Sequence, residues 1–258
     1  MKTISPDKQW LPAPANLILS RNEVHIWCAS LDQSTFQFQE LAKTLSPDEH
    51  LRANRFRLEQ HRQRFIVGRG VLRTILGRYL NVDPSQLQFC YGSYGKPALV
   101  SANLSEMLNF NLSHSGGMAL YAVSREQQIG IDIESVRPLS EVEQIAERFF
   151  SNREYQELRA FSTSQQHTAF FRYWTLKEAY VKATGLGLSL PLNQFEVSVT
   201  PGGVRLLKTP TDSQEASNWS LKELNVGDNY AAAIAVKGHS WQLKYWQWLM
   251  LPSLAEAA

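Results

Sequence analysis

The segment from Ile129 to Glu134 constrains the fold more than any other, because apolar and polar residues alternate in it without a break. Successive side chains of a β-strand point to opposite faces, so isoleucines cover one face while Asp132 and Glu134 share the other. Two residues along a strand rise by about 7 Å, and Gly130 leaves room beside the carboxylates for an approaching group. Such a pair suits a hard cation such as Mg²⁺. A half-exposed strand with a polar outer face would show the same pattern.

A second segment, Phe170 to Lys182, has helical periodicity. Glu178 lies between Trp174 and Val181 at spacings of four and three residues, which places it within an apolar helix face. A buried unpaired carboxylate is costly, so we expect Glu178 to meet a cation, a hydrogen-bond network or a metal. Lys182 lies one turn further on the same face. A structural Glu178–Lys182 pair is therefore the alternative to a site that unites Glu178 with the two strand carboxylates.

Two other segments offer contacts for phosphate. A short strand runs into the small-residue turn Ser113 to Gly117, where backbone N–H groups and the side chains of Ser113 and His114 would form a cradle. Eight arginines lie between Arg52 and Arg78, with Glu59 as the only acid among them. We expect about half of these arginines to be solvated or paired with acids. The remainder could hold phosphate through bidentate contacts.

Composition excludes several classes of protein. The 258 residues correspond to one large domain or two halves of about 130 residues. A formal net charge of +2 provides no overall attraction to nucleic acid or to anionic membranes. No stretch has the apolar length of a membrane span, and Cys28 and Cys90 lack the spacing of a zinc site. These features predict a cytoplasmic protein.

Turn and capping signals divide the remainder of the chain. Ser46 and Pro47 mark a helix start, an amphipathic helix is expected over 63–79, and a second helical region over 140–183. Five more strands are expected, over 23–29, 87–90, 109–113, 119–124 and 241–248. The order of strand, helix with Arg-Phe and long amphipathic helix occurs twice. The repetition favours an α+β fold of two similar halves.

Four motifs occur in an order that resembles a known family. They are YGKP at 94–97, SHSGG at 113–117, GIDIE at 130–134 and WTLKEAYVKATGLGL at 174–188. The set resembles the 4'-phosphopantetheinyl transferases, specifically the larger surfactin-synthetase-activating type. The resemblance implies an α+β fold in which two α/β halves pack as a pseudo-dimer within one monomeric chain. The halves would be 1–126, with the basic helical region, and 127–258, with the GIDIE strand and the long helix.

The resemblance also implies an activity. Such enzymes move the phosphopantetheine arm of coenzyme A to a serine of an acyl, peptidyl, aryl or polyketide carrier protein and release adenosine 3',5'-bisphosphate. Asp132, Glu134 and Glu178 would bind Mg²⁺, with Mn²⁺ as a substitute, and Glu178 would deprotonate the serine directly or through a water. Lys182 and His114 would complete the catalytic set. The resemblance assigns the coenzyme A contacts to Arg52, Arg55, Arg64, Gly95, Lys96, Pro97, Ser113, His114 and Lys182.

The partner implied by this resemblance is an acidic carrier protein, docked beside the Asp132 strand and the segment from Val136 to Leu139. Arginine is concentrated in the first half, so one face could attract an acidic helix without general affinity for nucleic acid or membranes. Two other classes remain open. One is a nucleic-acid-binding module that uses the arginine-rich helix, and the other is a scaffold that binds coenzyme A or carrier protein without turnover.

Overall fold

A computed structural model describes residues 10–100, 108–210 and 213–250 of the chain and shows an α+β protein. Its strands are β1 (Leu11–Pro12), β2 (Glu23–Ser30), β3 (Phe89–Tyr91), β4 (Pro97–Leu99), β5 (Asn109–Ser115), β6 (Met118–Ser124), β7 (Ile129–Ser135), β8 (Glu196–Thr200), β9 (Gly203–Lys208), β10 (Trp219–Glu223), β11 (Tyr230–Lys237) and β12 (Gln242–Gln247). Its α-helices are α1 (Thr35–Ala42), α2 (Pro47–Ala53), α3 (Glu59–Leu80), α4 (Val142–Phe149), α5 (Asn152–Arg159), α6 (Thr163–Thr184) and α7 (Ser213–Ala216).

Two sheets form the centre of the molecule. One has five strands in the order β1-β12-β2-β6-β5, and the other has three in the order β10-β11-β7. Their inner faces enclose a common apolar core that includes Ile26 and Leu120 from the first sheet and Ile131 and Ile234 from the second. The outer face of the first sheet packs on α3, and that of the second packs on α4 and α6. Each sheet is therefore covered on both faces.

The two sheets are built from the same succession of elements. In the first half β2 is followed by α1, α2, α3, the hairpin β3–β4, β5 and β6. In the second half β7 is followed by α4, α5, α6, the hairpin β8–β9, β10 and β11, with the short helix α7 added before β10. The antiparallel order β2-β6-β5 matches β7-β11-β10. The last strand departs from this scheme, because β12 follows the second half in sequence but pairs in parallel with β2 of the first.

Most predicted elements are present. The strand at 23–29 is β2, the predicted amphipathic helix lies within α3, and the last strand is β12. The helical region 140–183 consists of three helices, because Ser151 and Ser162 are N-caps that start α5 and α6. The sequence analysis did not predict α1. Within the described ranges, none of the helices combines the length and hydropathy required to cross a bilayer.

Each half contains a buried glutamate that is held by its long helix. Glu49 in α2 and Glu154 in α5 accept the backbone N–H of the residue that caps their own helix. Arg73 of α3 donates to Glu49 at 2.6 Å. Lys177 of α6 donates to both oxygens of Glu154 at 2.7 Å. These contacts attach the second short helix of each half to the long helix that covers the sheet.

We expect Lys177→Met to lower the free energy of unfolding by about 3–5 kcal/mol, because Glu154 would remain as a buried carboxylate without its cation. Both side chains of this pair are fully buried. Urea unfolding followed by circular dichroism measures the loss. The control is Lys43→Met, whose 70% exposed side chain pairs with Glu40 and should contribute about 1 kcal/mol or less. Equal small losses in both variants would contradict the prediction.

A buried polar network attaches β12 to β2. His25 is fully buried, its Nδ1 accepts from Trp246 Nε1 at 3.2 Å, and Tyr79 Oη lies 2.7 Å from the same atom. The other ring nitrogen lies 3.2 Å from Glu23, which also pairs with Lys244. Burial is the main cause that lowers the pKa of His25 to about 4. The imidazole is therefore neutral in the folded protein at neutral pH.

This pKa predicts acid-sensitive stability. Below about pH 6.5 the unfolded chain binds a proton at His25 that the folded chain rejects until about pH 4, so stability falls as pH falls through this window. The contribution is up to about 3 kcal/mol. Urea unfolding at several pH values should show a smaller loss between pH 6.5 and 4 for His25→Gln than for the unmodified chain. Parallel curves for the two proteins would contradict the assignment.

Candidate functional site

Helix α6 lies directly on the polar face of β7, and Gly130 is the residue that permits this approach. A Cβ atom at position 130 would collide with the carbonyl oxygen of Ala179 and the backbone nitrogen of Ala183. From the sequence we expected Gly130 to leave room beside the carboxylates for an approaching group. In the structure, helix α6 occupies that room. The contact places the last two turns of α6 beside Asp132 and Glu134.

Asp132 is the centre of the resulting site. It is 3% exposed, and its Oδ1 accepts from Lys182 Nζ at 2.6 Å and from Ser113 Oγ at 2.7 Å. Lys182 also donates to Ser113 Oγ at 2.9 Å. The second oxygen, Oδ2, is buried and has no hydrogen-bond partner among the described residues. The structural alternative from the sequence, a Glu178–Lys182 pair, is wrong, because Lys182 pairs with Asp132.

Glu134 and Glu178 complete a group of mutually repelling carboxylates. Ser115 Oγ donates to Glu134 at 2.8 Å, whereas Glu178 is half-buried without a hydrogen bond or ion pair to any described residue. Burial raises the pKa of both groups, and the charge of Asp132 raises each further. Lys182 opposes the effect at both groups, and Ser115 and Arg137 oppose it at Glu134. The site therefore holds more negative charge than Lys182 alone offsets.

The carboxylates have the donor chemistry of a magnesium site. Within the described parts of the chain, no set of three His, Cys, Asp or Glu side chains lies close enough together to hold a metal ion. The donors are nevertheless carboxylate oxygens, the ligands that Mg²⁺ prefers. The buried Asp132 Oδ2 without a partner and the raised pKa values of Glu134 and Glu178 are both features that a divalent cation would relieve. The donor chemistry of these residues, rather than their spacing, fits the ion.

A cavity of about 710 Å³ opens beside this group, and Glu178 and Lys182 line it. Phe149, Trp174 and Leu190 give it an apolar wall. The YGKP turn, 94–97, forms another side. The cavity therefore combines an apolar surface with one charged end, which is the general character of a site for an extended organic substrate.

The YGKP turn joins the two halves. Gly95 has a φ of 78°, a left-handed conformation that favours glycine, and Pro97 begins β4. The side chain of Lys96 extends away from the turn. Its ammonium donates to the carbonyl oxygens of Lys182 at 2.7 Å and Ile129 at 3.2 Å. Burial lowers the pKa of Lys96 to about 8. A contact between Lys96 and phosphate stays a prediction, since in this structure the ammonium is bound to backbone.

The remaining predicted coenzyme A residues lie in two other places. Arg64 forms a bidentate pair with Asp32 at 3.0 and 3.3 Å, and the pKa of His114 is lowered by partial burial and by the charges of Lys182 and Arg64. Arg52 and Arg55 line a separate cavity of about 480 Å³. The structure thus brings His114 into the electrostatic range of Lys182 and Arg64, and leaves Arg52 and Arg55 apart from the carboxylates.

Much of the arginine-rich segment is engaged in internal pairs. Arg69 and Arg73 are buried and bind Glu49. Arg62 pairs with Glu59. Arg78 donates to the carbonyl of Pro14, and Arg64 is occupied by Asp32. These pairs reduce the number of arginines that are free to contact nucleic acid, as the nucleic-acid alternative requires.

Sequence reasoning missed two side chains that align the site. Asn111 Oδ1 accepts the backbone N–H of Ile131 at 2.8 Å, and Ser115 binds Glu134. Together with Ser113 they alternate along β5 and connect its polar face to β7. The signal was present in the sequence as polar residues at 111, 113 and 115. It could be interpreted only once β5 was known to lie beside β7.

Comparisons with known proteins identify the family of the chain. A family model described as 4'-phosphopantetheinyl transferase superfamily matches residues 128–235, and one described as 4'-phosphopantetheinyl transferase, N-terminal, matches residues 29–126. The chain is 51% identical to the 4'-phosphopantetheinyl transferase HetI of Nostoc sp., over 93% of this chain and 98% of that protein. The chain belongs to the 4'-phosphopantetheinyl transferases. It is also 35% identical to the 4'-phosphopantetheinyl transferase Sfp of Bacillus subtilis, over 74% of this chain and 81% of that protein.

The chain is a phosphopantetheinyl transferase of the Sfp type, and three motifs of the family lie on β5, β7 and α6. The GIDIE motif is the body of β7, and the WTLKEAYVK motif is the second half of α6. The SHSGG motif ends β5 and forms the turn to β6. The three motifs therefore build one site through β7, α6 and β5, although they lie far apart in the sequence.

Gly130→Ala should separate α6 from β7 and lower the free energy of unfolding by about 1–3 kcal/mol, as overpacking does in cores. The matched control is Gly202→Ala, where the added methyl group meets only Thr200 Oγ1, at an ordinary contact distance of 3.7 Å. Urea unfolding measures both variants. A loss for Gly130→Ala no larger than that for Gly202→Ala would contradict the close approach.

Proposed function

We propose that this chain transfers the 4'-phosphopantetheine arm of coenzyme A to a serine hydroxyl of an acyl, peptidyl or aryl carrier protein and releases adenosine 3',5'-bisphosphate. The observation that carries the proposal is the group formed by Asp132, Lys182 and Glu178 at the charged end of an apolar cavity. The names of HetI and Sfp as 4'-phosphopantetheinyl transferases support it.

The reaction is a displacement at phosphorus. The serine oxygen forms a bond to the phosphorus that carries the pantetheine arm, the bond to the bridging oxygen breaks, and adenosine 3',5'-bisphosphate leaves with the electron pair. Catalysis of this kind depends on positioning and charge neutralisation rather than on a covalent enzyme intermediate. Lys182 and His114 would neutralise the pyrophosphate and the departing bisphosphate.

Glu178 is the candidate base for the serine proton. It lines the cavity, and burial together with Asp132 raises its pKa, which makes the carboxylate a better proton acceptor than an exposed glutamate. Asp132, Glu134 and Glu178 would hold Mg²⁺, or Mn²⁺ in its place, and the bound ion would supply charge neutralisation at the pyrophosphate. Lys182 keeps Asp132 in place through the 2.6 Å contact.

The substrate contacts extend from this centre. Ser113, His114 and Lys182 would bind the pyrophosphate, and Gly95, Lys96 and Pro97 would border the nucleotide. Arg64 would contact a nucleotide phosphate, and Arg52 and Arg55 would bind the 3'-phosphate. The carrier protein would dock beside β7 and the segment from Val136 to Leu139. Leu139 itself is only partly exposed and packs on the core of the second half. Arg137, which is more exposed, lies 3.7 Å from Glu134 and is the better contact for an acidic partner.

We also propose that residues 1–126 and 127–258 form a pseudo-dimer within a monomer. The repeated order of elements and the matching order of strands in the two sheets support this interpretation. The common core between the sheets supplies the interface.

Mass spectrometry of an apo carrier protein incubated with this chain, coenzyme A and Mg²⁺ tests the function. The expected result is a carrier that gains the phosphopantetheine mass on its serine, with stoichiometric release of adenosine 3',5'-bisphosphate. Binding of coenzyme A without any mass change would instead favour the scaffold. Filter binding to RNA and duplex DNA tests the nucleic-acid alternative.

Asp132→Ala should lower the rate of transfer by a factor of about 100 or more, because it removes both a proposed ligand and the anchor of Lys182. The fold should persist, since the isoleucines on the opposite face of β7 still pack. The control is Asp228→Ala at an exposed acid. Carrier modification in a timed assay gives the rates, and circular dichroism checks the fold. Near-normal transfer by Asp132→Ala that EDTA still inhibits would refute the assignment.

A further inference from the structure

The contacts of Lys96 are directed to backbone atoms of the second half. Lys96 lies in the turn before β4, yet its Nζ donates to Lys182 O at 2.7 Å and Ile129 O at 3.2 Å, and Ala183 O lies at 3.5 Å. An ammonium has three donors, and these three carbonyls surround it. One side chain of the first half therefore binds both α6 and β7, the two elements that carry the catalytic carboxylates.

The contact with Lys96 gives a hydrogen-bond donor to a backbone carbonyl in the last turn of α6. The last carbonyls of a helix have no partner within the helix and also carry its partial negative charge. Val181 O accepts from Gly185 N at 3.1 Å and from Thr184 Oγ1 at 2.9 Å. The next carbonyl, that of Lys182, receives Lys96 instead. The cation thus fixes the final turn at the residue whose side chain reaches Asp132.

The same contact fixes the distance between α6 and β7. Ile129 is the first residue of β7, next to Gly130, where strand and helix come closest. Lys96 binds a carbonyl on each side of this contact. If the last turn of α6 moved away from β7, the Lys182 side chain would lose its contacts with Asp132 and Ser113, and small displacements of a catalytic group reduce rates strongly.

We propose that Lys96 is a positioning residue: its ammonium clamps the last turn of α6 to the start of β7 and thereby holds Lys182 on Asp132. The role differs from the phosphate contact that the family resemblance implies for this lysine. The inference rests on the proposed function for its consequence in catalysis, but the clamp itself is a property of the fold. The clamp and its effect on catalysis can therefore be measured separately.

Lys96→Met, which keeps the aliphatic stem and removes the donors, tests the clamp. Hydrogen exchange followed by mass spectrometry should show at least tenfold faster exchange for the amides of residues 181–185, with the rest of α6 unchanged. The matched control is Lys208→Met at an exposed lysine of β9. Unchanged exchange of the last turn of α6 would overturn the proposal. If Lys96→Met does not fold, Lys96→Gln, which keeps a shorter donor, is expected to show the same local change.

Steady-state kinetics with coenzyme A and an apo carrier protein distinguish the clamp from phosphate binding. The clamp predicts a fall in kcat of about tenfold, with KM for coenzyme A within twofold of the unmodified chain. A phosphate contact predicts a raised KM with kcat retained, and that result would also overturn the proposal. If the unmodified chain transfers nothing, the proposed function fails, while hydrogen exchange still decides whether Lys96 clamps α6.

Discussion

The close contact between α6 and β7 at Gly130 is the constraint on which the rest of the site depends. Without a side chain at that position, the helix backbone packs directly on the strand, and Lys182 reaches Asp132 at 2.6 Å. The isoleucines on the other face of β7 hold the strand in the core between the two sheets, so Asp132 cannot withdraw from the helix. The apolar packing of the isoleucines on one face of β7 thereby fixes the position of the Asp132 carboxylate on the other face.

The first half has the same order of elements as the second, but different residues lie at the positions that correspond to Asp132 and Lys182. Counted from the first residue of each long helix, Arg73 corresponds to Lys177 and Arg78 to Lys182. Both members of the first pair hold a buried glutamate. In the second pair the partners differ, because Lys182 binds a carboxylate whereas the guanidinium of Arg78 lies 5.3 Å from the ring centroid of Trp27. The two halves share this frame, whereas among the described residues the group of Asp132, Glu134 and Glu178 belongs to the second half.

The sequence predicted those parts of the fold and the site that depend on local periodicity. Alternation in GIDIE placed Asp132 and Glu134 on one face of β7, and the family motifs indicated the residues that meet there. Local patterns do not encode contacts between distant segments. The alternative pair of Lys182 with Glu178 lay within one helix turn, but Lys182 pairs with Asp132 of another element. The contact of Lys96 with the end of α6 joins residues 86 positions apart. Such pairings follow from the packing of the halves.

The buried carboxylates Glu154 and Asp132 differ in how fully their oxygens are satisfied by hydrogen bonds. Glu154 receives Lys177 on both oxygens, with the backbone N–H groups of Val197 and Ser151 in addition. It has no capacity left for a ligand. Asp132 is also buried, but its hydrogen bonds with the described residues all go to Oδ1 and leave Oδ2 without a partner among them. An unsatisfied buried carboxylate oxygen is costly in a purely structural pair, so its presence beside Glu134 and Glu178 favours a cation as the missing partner.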